Sequence, residues 1–380
     1  MNFVGDDCGE VVGVVEFELC DDVVLAGDDV DRTDRVDAAD FVRHGADGTG
    51  VGQDVDVRVG HASHPHCGVV DPPTRATINV GPAVEHRLHY RPGRCSGMPP
   101  ALIAHRGYAG VAPENTVGAA VRAAERDDTD MIEIDVQPAA CGTPVVIHDD
   151  RLEGTDAREG RPLTDAAGLV RETPLADIRS ARVLGTGETV PTLAALLEAL
   201  PATVGVNVEL KNPGTADLRF AEPLESDERA ERRALWTPFV ERVVDVCDDF
   251  GGEVLASSFC AGALAAVRDV APEYPAAALV WDDLESGLEI ARRYDCEAVH
   301  PPRNAIAGTS MATTDYAGFP AAAPSIDLLE SAHAEGRTVN VWTIDSWIQY
   351  DQLAAAGVDG IIADVPDVAR FTSSTADSSA

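Results

Sequence analysis

The chain has 380 residues, 65 acidic against 29 basic side chains, and a formal net charge of −36. Its 45% hydrophobic content can bury the core of one large domain with an extension, or of two ordinary domains. No apolar run approaches the roughly 18 residues of a membrane span, and this charge would repel a nucleic-acid backbone rather than steer it in.

The N-terminus holds Asp6, Asp7, Glu10, Glu16 and Glu18 with no basic segment before them, unlike a secretory signal. The eight cysteines contain no C-x-x-C pair, so neither a zinc ribbon nor a disulfide framework is indicated. The expectation is a soluble, cytoplasmic protein without stable membrane insertion. Among the basic residues Lys211 is the single lysine; the others are arginine. An acid-rich, lysine-poor chain with 5% aromatics fits a halophilic setting, because a Debye length of roughly 3 Å at 1 M salt screens carboxylate repulsion. GC-rich codon usage also trades lysine for arginine, and both causes can act together.

Residues 1–97 differ from the rest, with six of the ten histidines and four of the eight cysteines. The cluster His61, His64, His66 and Cys67 has good zinc-ligand types, but no second ligand pair follows at finger spacing. The segment is expected to be an irregular extension: a small appended domain, a disordered arm, or translation from a start upstream of Met98. From residue 100 short apolar runs alternate with amphipathic helices. Expected strands are Ala101–His105, Met131–Val136, Val145–His148, Val204–Leu210, Val254–Ser258, Ala276–Val280, Ala298–His300, Val339–Thr343 and Gly360–Ala363. Expected helices are Val117–Arg126, Thr192–Leu200, Trp236–Phe250, Ala261–Val270, Leu284–Tyr294, Ile326–Glu335 and Trp347–Ala356. Gly251, Gly336 and Gly357 stand where a helix ends in a left-handed turn, and the acidic stretch Ala221–Arg233 reads as a solvated loop or helix face.

Such alternation is the pattern of an α/β protein with a parallel sheet. About eight units over residues 98–371 suggest a distorted (β/α)8 TIM barrel, with 372–380 as a disordered tail. A doubly wound sheet is the runner-up, weakened by the lack of G-x-G-x-x-G after the first strand. Nine strands are one too many for eight staves, and the short gap between Val136 and Val145 forbids a helical crossover. The second and third strands should form an antiparallel hairpin, with Cys141-Gly142 near its turn, position 136 opposite about 145, and Glu133 close to His148.

Charged groups at the C-terminal ends of barrel strands are costly to bury unless they bind something. Here those ends carry His105-Arg106, Glu133 and Asp135, His148-Asp149, and Glu209 with Lys211. Three carboxylates without soft ligands suit one hard divalent cation, Ca2+ or Mg2+. Two histidines can serve as general base and general acid, and Arg106 with Lys211 can hold a phosphate by charge-assisted bonds. Together these groups point to phosphoester cleavage.

The stretches HRGYAGVAPENT (105–116), IEIDVQ (132–137), VVIHDD (145–150), VELK (208–211), SSF (257–259), VWTID (341–345) and GVDGIIADVPD (357–367) resemble the glycerophosphodiester phosphodiesterase family, in family order over roughly residues 100–370. The resemblance implies a small-molecule glycerophosphodiester substrate, hydrolysed with a divalent metal to an alcohol and glycerol phosphate in lipid turnover. It implies His105 and His148 as the acid/base pair, Glu133, Asp135 and Glu209 as metal ligands, and Arg106 and Lys211 as substrate-binding cations. Trp342 matches an aromatic lining the glycerol side of the pocket. Two departures stand out: PAACGTP replaces a Thr-x-Asp-Gly turn, and Ala363 stands where the family commonly has threonine.

Set against this, E-x-D on a strand is ordinarily solvent decoration in so acidic a chain, and HD or E-x-K alone carries little. Their occurrence in order, each at an expected strand end, favours the functional reading. Asn115 and Thr116 read as caps of the helix near Val117, and Ser258 as structural. Competing readings are a phosphodiesterase for lysolipids, for which no clear apolar rim is visible in the sequence, and a non-catalytic phosphate-ligand module that kept the barrel. No motif speaks to oligomeric state.

Overall fold

The computed structural model describes residues 2–5, 11–14, 99–154, 160–318, 321 and 325–370. The chain divides into two compact units, Met1–His86 and Arg87–Ala380. In the first, β1 (Asn2–Gly5) pairs antiparallel with β2 (Val11–Val14); the His61, His64, His66, Cys67 cluster and the tail 372–380 lie outside the described residues.

In the second unit the sheet closes on itself. Its parallel staves are β3 (Ala101–His105), β4 (Met131–Pro138), β6 (Gly205–Leu210), β7 (Val254–Ser258), β8 (Ala276–Leu279), β9 (Ala298–His300), β10 (Thr338–Ile344) and β11 (Gly360–Ala363). They are neighbours in the order β3-β11-β10-β9-β8-β7-β6-β4, with β3 also paired to β4. The ninth strand, β5 (Pro144–Val146), runs antiparallel on β4. The described helices are α1 (Val117–Ala124), α2 (Leu175–Ile178), α3 (Leu193–Glu198), α4 (Glu228–Cys247), α5 (Ala261–Val270), α6 (Leu284–Arg293), α7 (Leu328–Ala334) and α8 (Trp347–Ala356). The expected distorted (β/α)8 barrel with a hairpin at its second and third strands is present.

Strand alternation sorts side chains into two cores. Ile132, Ile134, Val136, Val206 and Val208 join the large outer cluster between strands and helices. Ile103, Met131, Leu255, Ala277, Ala298 and Ile362 form a separate apolar cluster, with Trp342 packed on it. Glu133, Asp135, Asn207 and Glu209 share the inward phase of their strands, and all four are buried. A third cluster, including Leu152, Leu163, Val170, Ile178 and Val183 with Val145 and Ile147 from the hairpin, gives the excursion between β4 and α3 a core of its own. That core anchors the segment leading to His148.

Several boundaries shift. Helix α4 begins at Glu228, not Trp236, because Glu228 and Glu231 fall in its first turn, where carboxylates favour a helix N-terminus; part of the acidic stretch 221–233 is therefore helix. Gly336 and Gly357 are left-handed, as expected, but Gly251 is not, since α4 ends earlier with a right-handed cap at Asp248. Strand β5 stops at Val146 and leaves His148 in the bend beyond it. The hairpin register is Val136↔Val146, one residue from the expected pairing.

Candidate active site

The loop after β3 is held in an uncommon conformation. Arg106, Gly107, Tyr108 and Asn115 have φ of 51°, 76°, 67° and 57°, a region that non-glycine residues occupy at a cost of order 1–3 kcal/mol. A Cβ on Gly107 would lie 2.9 Å from Ala119, so the loop packs against α1 only with glycine there. Its contacts explain the shape. Arg106 N–H donates to Glu133 Oε2 (2.9 Å) and Arg106 Nη1 to Glu114 Oε1 (2.9 Å), with Nε 3.2 Å from Asp135 Oδ2. Asn115 is not a helix cap: its Nδ2 donates to Asp135 Oδ2 (2.8 Å), and its Oδ1 accepts from Asp135 N–H (3.2 Å). Thr116 is the cap, accepting from Ala119 N–H at 3.2 Å.

The carboxylates converge. Strands β4 and β6 pair with Glu133↔Asn207 and Asp135↔Glu209 in register. One oxygen from each of Glu133, Asp135 and Glu209 lies within 4.8 Å of the others. Burial, and then the charges of Asp135 and Glu209, push Glu133 well above the usual carboxylate range. Burial also raises Glu209, against the pull of Lys211. Burial opposes ionisation of Asp135 too, but Arg106, His148, Lys211 and the Asn115 bond hold it below its ordinary value. Glu133 Oε1 and Asp135 Oδ1 are buried without hydrogen-bond partners. A buried, all-oxygen set with orphaned acceptors has the chemistry that a hard divalent cation requires.

His105 and His148 are each anchored by an aspartate to which the sequence pattern assigned no role. His105 Nδ1–H donates to Asp364 Oδ1 (2.7 Å), leaving Nε2 3.9 Å from Glu133 Oε2. His148 Nδ1–H donates to Asp149 Oδ1 at 2.6 Å. Gln137 Nε2, at the end of β4, donates to the carbonyls of Ile147, His148 and Asp149 at 3.1, 2.9 and 2.9 Å, fixing that bend. Burial, Arg106 and Lys211 hold the His148 imidazole below its ordinary pKa, against the charge of Asp135 and the hydrogen bond to Asp149.

Lys211 Nζ lies 2.7 Å from Glu209 Oε1 and 3.6 Å from Asp135 Oδ1, with the Phe259 ring 5.8 Å away. An aromatic wall continues from there. Trp342 packs edge-on against Phe259 (5.9 Å) and stacks on Trp281 (5.8 Å). Its Nε1–H donates to the His300 carbonyl at 2.8 Å. Phe220 covers Phe259 at 4.7 Å and remains 40% exposed. Ser258 is structural: its hydroxyl donates to the Leu210 carbonyl and accepts from Cys260 N–H. Ala363 joins the outer core, on the opposite strand face from Ile362.

A family model described as the glycerophosphoryl diester phosphodiesterase family matches residues 105–368. A glycerophosphodiester phosphodiesterase of Caldanaerobacter subterraneus is 28% identical over 279 residues, covering 71% of this chain and 96% of its own. One from Bacillus altitudinis is 26% identical, covering 70% and 95%. Among solved structures, an Oleispira antarctica phosphodiesterase in complex with the product sn-glycerol-3-phosphate is 26% identical, covers 70% of this chain and 94% of its own, and superposes with a TM-score of 0.53. With that match spanning the barrel from His105 to Val368, the chain belongs to the glycerophosphoryl diester phosphodiesterase family.

Proposed function

We propose that this protein hydrolyses glycerophosphodiesters to an alcohol and glycerol phosphate, with Glu133, Asp135 and Glu209 holding one divalent cation, Ca2+ or Mg2+. The observation that carries the reading is the convergence of three buried carboxylates with two aspartate-anchored imidazoles at the C-terminal rim of the barrel. A bound cation would polarise the phosphate oxygens as a Lewis acid.

The chain's own groups divide the remaining work. Arg106 and Lys211 bring positive charge to a strongly acidic molecule and can bind the phosphodiester oxygens. His148, flanked by those cations and kept neutral, takes the proton from the nucleophile, which is either water or the glycerol 2-hydroxyl; in the second case water then opens the cyclic phosphate to glycerol phosphate. A protonated His105 would be flanked by Asp364 and Glu133; it delivers the proton to the leaving alcohol. Trp342 and Phe259 present apolar faces to the glycerol carbons. The setting is lipid turnover in the cytoplasm of a salt-adapted cell.

The test is a coupled assay of glycerol phosphate release from glycerophosphocholine, with and without EDTA, beside His148→Ala. EDTA should abolish release and added Ca2+ or Mg2+ restore it, while His148→Ala loses about 10²–10⁴-fold. Full activity in His148→Ala removes that residue from the mechanism. Binding without release would make the protein a phosphate-ligand module.

One observation favours a second substrate class, lysolipids. Val111, Phe220, Trp347 and Ile348 are exposed by 65%, 40%, 47% and 51%, and each follows the C-terminal end of a stave. We read these exposed side chains as the apolar surface that an acyl chain would need. No described helix is long and apolar enough to cross a membrane. Faster choline release from lysophosphatidylcholine than from glycerophosphocholine, read by a choline-coupled assay, would select this reading.

A further inference from the structure

Beside the three carboxylates lies a polar side chain that the roles above leave unused. Asn207 stands on β6, two residues before Glu209 and opposite Glu133 in register. Val206 and Val208 belong to the outer core, so Asn207 faces the interior. It is 1% exposed, and its Oδ1 has no hydrogen-bond partner. Leaving such an acceptor buried and unpaired is costly unless something binds it.

The carboxylates are partly spoken for. Glu133 Oε2 accepts from Arg106 N–H, Asp135 Oδ2 from Asn115, and Glu209 Oε1 from Lys211. Glu133 Oε1 and Asp135 Oδ1 are buried without a hydrogen-bond partner. A calcium ion takes about six to eight oxygens and accepts neutral amide carbonyls readily, whereas magnesium demands a stricter octahedron. Asn207, opposite Glu133 in register, offers an amide oxygen of that type with no hydrogen-bond partner.

We propose that Asn207 Oδ1 is a fourth protein ligand of the cation and biases the site toward Ca2+ over Mg2+. This rests on the cation site proposed above and adds a residue to it.

The test uses the full chain stripped with chelator. Ca2+ and Mg2+ affinities are measured by titration calorimetry, and inner-sphere waters are counted from Tb3+ luminescence lifetimes in H2O and D2O. Asn207→Ala should weaken Ca2+ binding at least about 10-fold, narrow the preference over Mg2+, and add about one water to bound Tb3+. Asn207→Asp, which keeps the oxygen and the shape, should bind Ca2+ at least as tightly with an unchanged water count; it covers the case in which the alanine variant does not fold. Wild-type affinity and water count in Asn207→Ala overturn the proposal, as does weakened binding with an added water in Asn207→Asp. A wild-type chain that binds neither Ca2+ nor Tb3+ would instead overturn the cation site itself.

Discussion

Replacing Asp364 by asparagine tests whether His105 depends on its anchor. The wild-type bond is 2.7 Å long, between side chains that are 19% and 23% exposed. A hydrogen bond to a charged group contributes about 1.5–3 kcal/mol, and each 1.36 kcal/mol is tenfold in rate. If that bond is what holds the imidazole in its working tautomer, kcat should fall about 10- to 150-fold. The roughly 10⁴-fold loss known for a fully buried triad aspartate is not expected, because water reaches both partners here. The assay is initial-rate glycerol phosphate release at saturating Ca2+ for wild type, Asp364→Asn, His105→Ala and the double variant, with thermal melts as a fold check. KM should stay within about twofold, and the double variant should be no slower than His105→Ala, since the aspartate acts only through the ring. Wild-type kcat in Asp364→Asn would refute the reasoning, as would a double variant in which the two losses multiply in full.

Two further outcomes concern stability. Asn115→Ala removes both hydrogen bonds to buried Asp135 and puts alanine at a φ of 57°. Urea unfolding should show a loss of about 2–4 kcal/mol, and a loss below about 1 kcal/mol would mean that the clasp contributes nothing. His300 is fully buried, receives a 2.9 Å hydrogen bond from Asn340 Nδ2–H, and burial pushes its pKa down from 6.5 to about 3. Because the folded value lies below the unfolded one, this group's contribution is intact above about pH 6.5 and is lost as pH falls from there through about 3. At pH 5 the loss is about 2 kcal/mol relative to pH 8, so His300→Gln should flatten that part of the stability profile; an unchanged slope would refute it.

The barrel was readable because its staves are short apolar runs buried on both faces, and because the gap between Val136 and Val145 is too short for anything but a hairpin. The carboxylates were readable from period-two alternation alone, since Glu133 and Asp135 share a strand face. What escaped the local pattern depended on contacts between distant segments. His105 and Asp364 meet because β11 pairs with β3, placing Ala363 beside Ala104; once closure is assumed, that neighbour could have been found. Asn115 could not, because helix-cap propensity and a bond to Asp135 favour the same residue type, and only the left-handed backbone separates them. The exposed apolar side chains Val111, Phe220 and Trp347 formed no pattern in the sequence because they come from two loops and a helix start far apart along the chain.

The lone lysine ties these observations to the chain's composition. At surface positions an arginine satisfies the same role, and the sequence uses arginine throughout. Lys211 instead places one ammonium 2.7 Å from Glu209 and 3.6 Å from Asp135, beneath an aromatic ring. A compact charge fits that gap; a planar five-donor fork presents a different shape and would reach past it. Among the described residues of the buried site, Arg106 and Lys211 are the permanent cations beside three carboxylates, so negative charge is in excess where an anionic phosphodiester has to enter. Burial, and after it the charge of neighbouring carboxylates, raises the pKa of Glu133 and Glu209. A divalent cation reverses that sign while adding no bulk to the pocket, which is why the carboxylate cluster and the substrate proposed for this chain belong to one argument: without the first, the electrostatics of the site oppose the second.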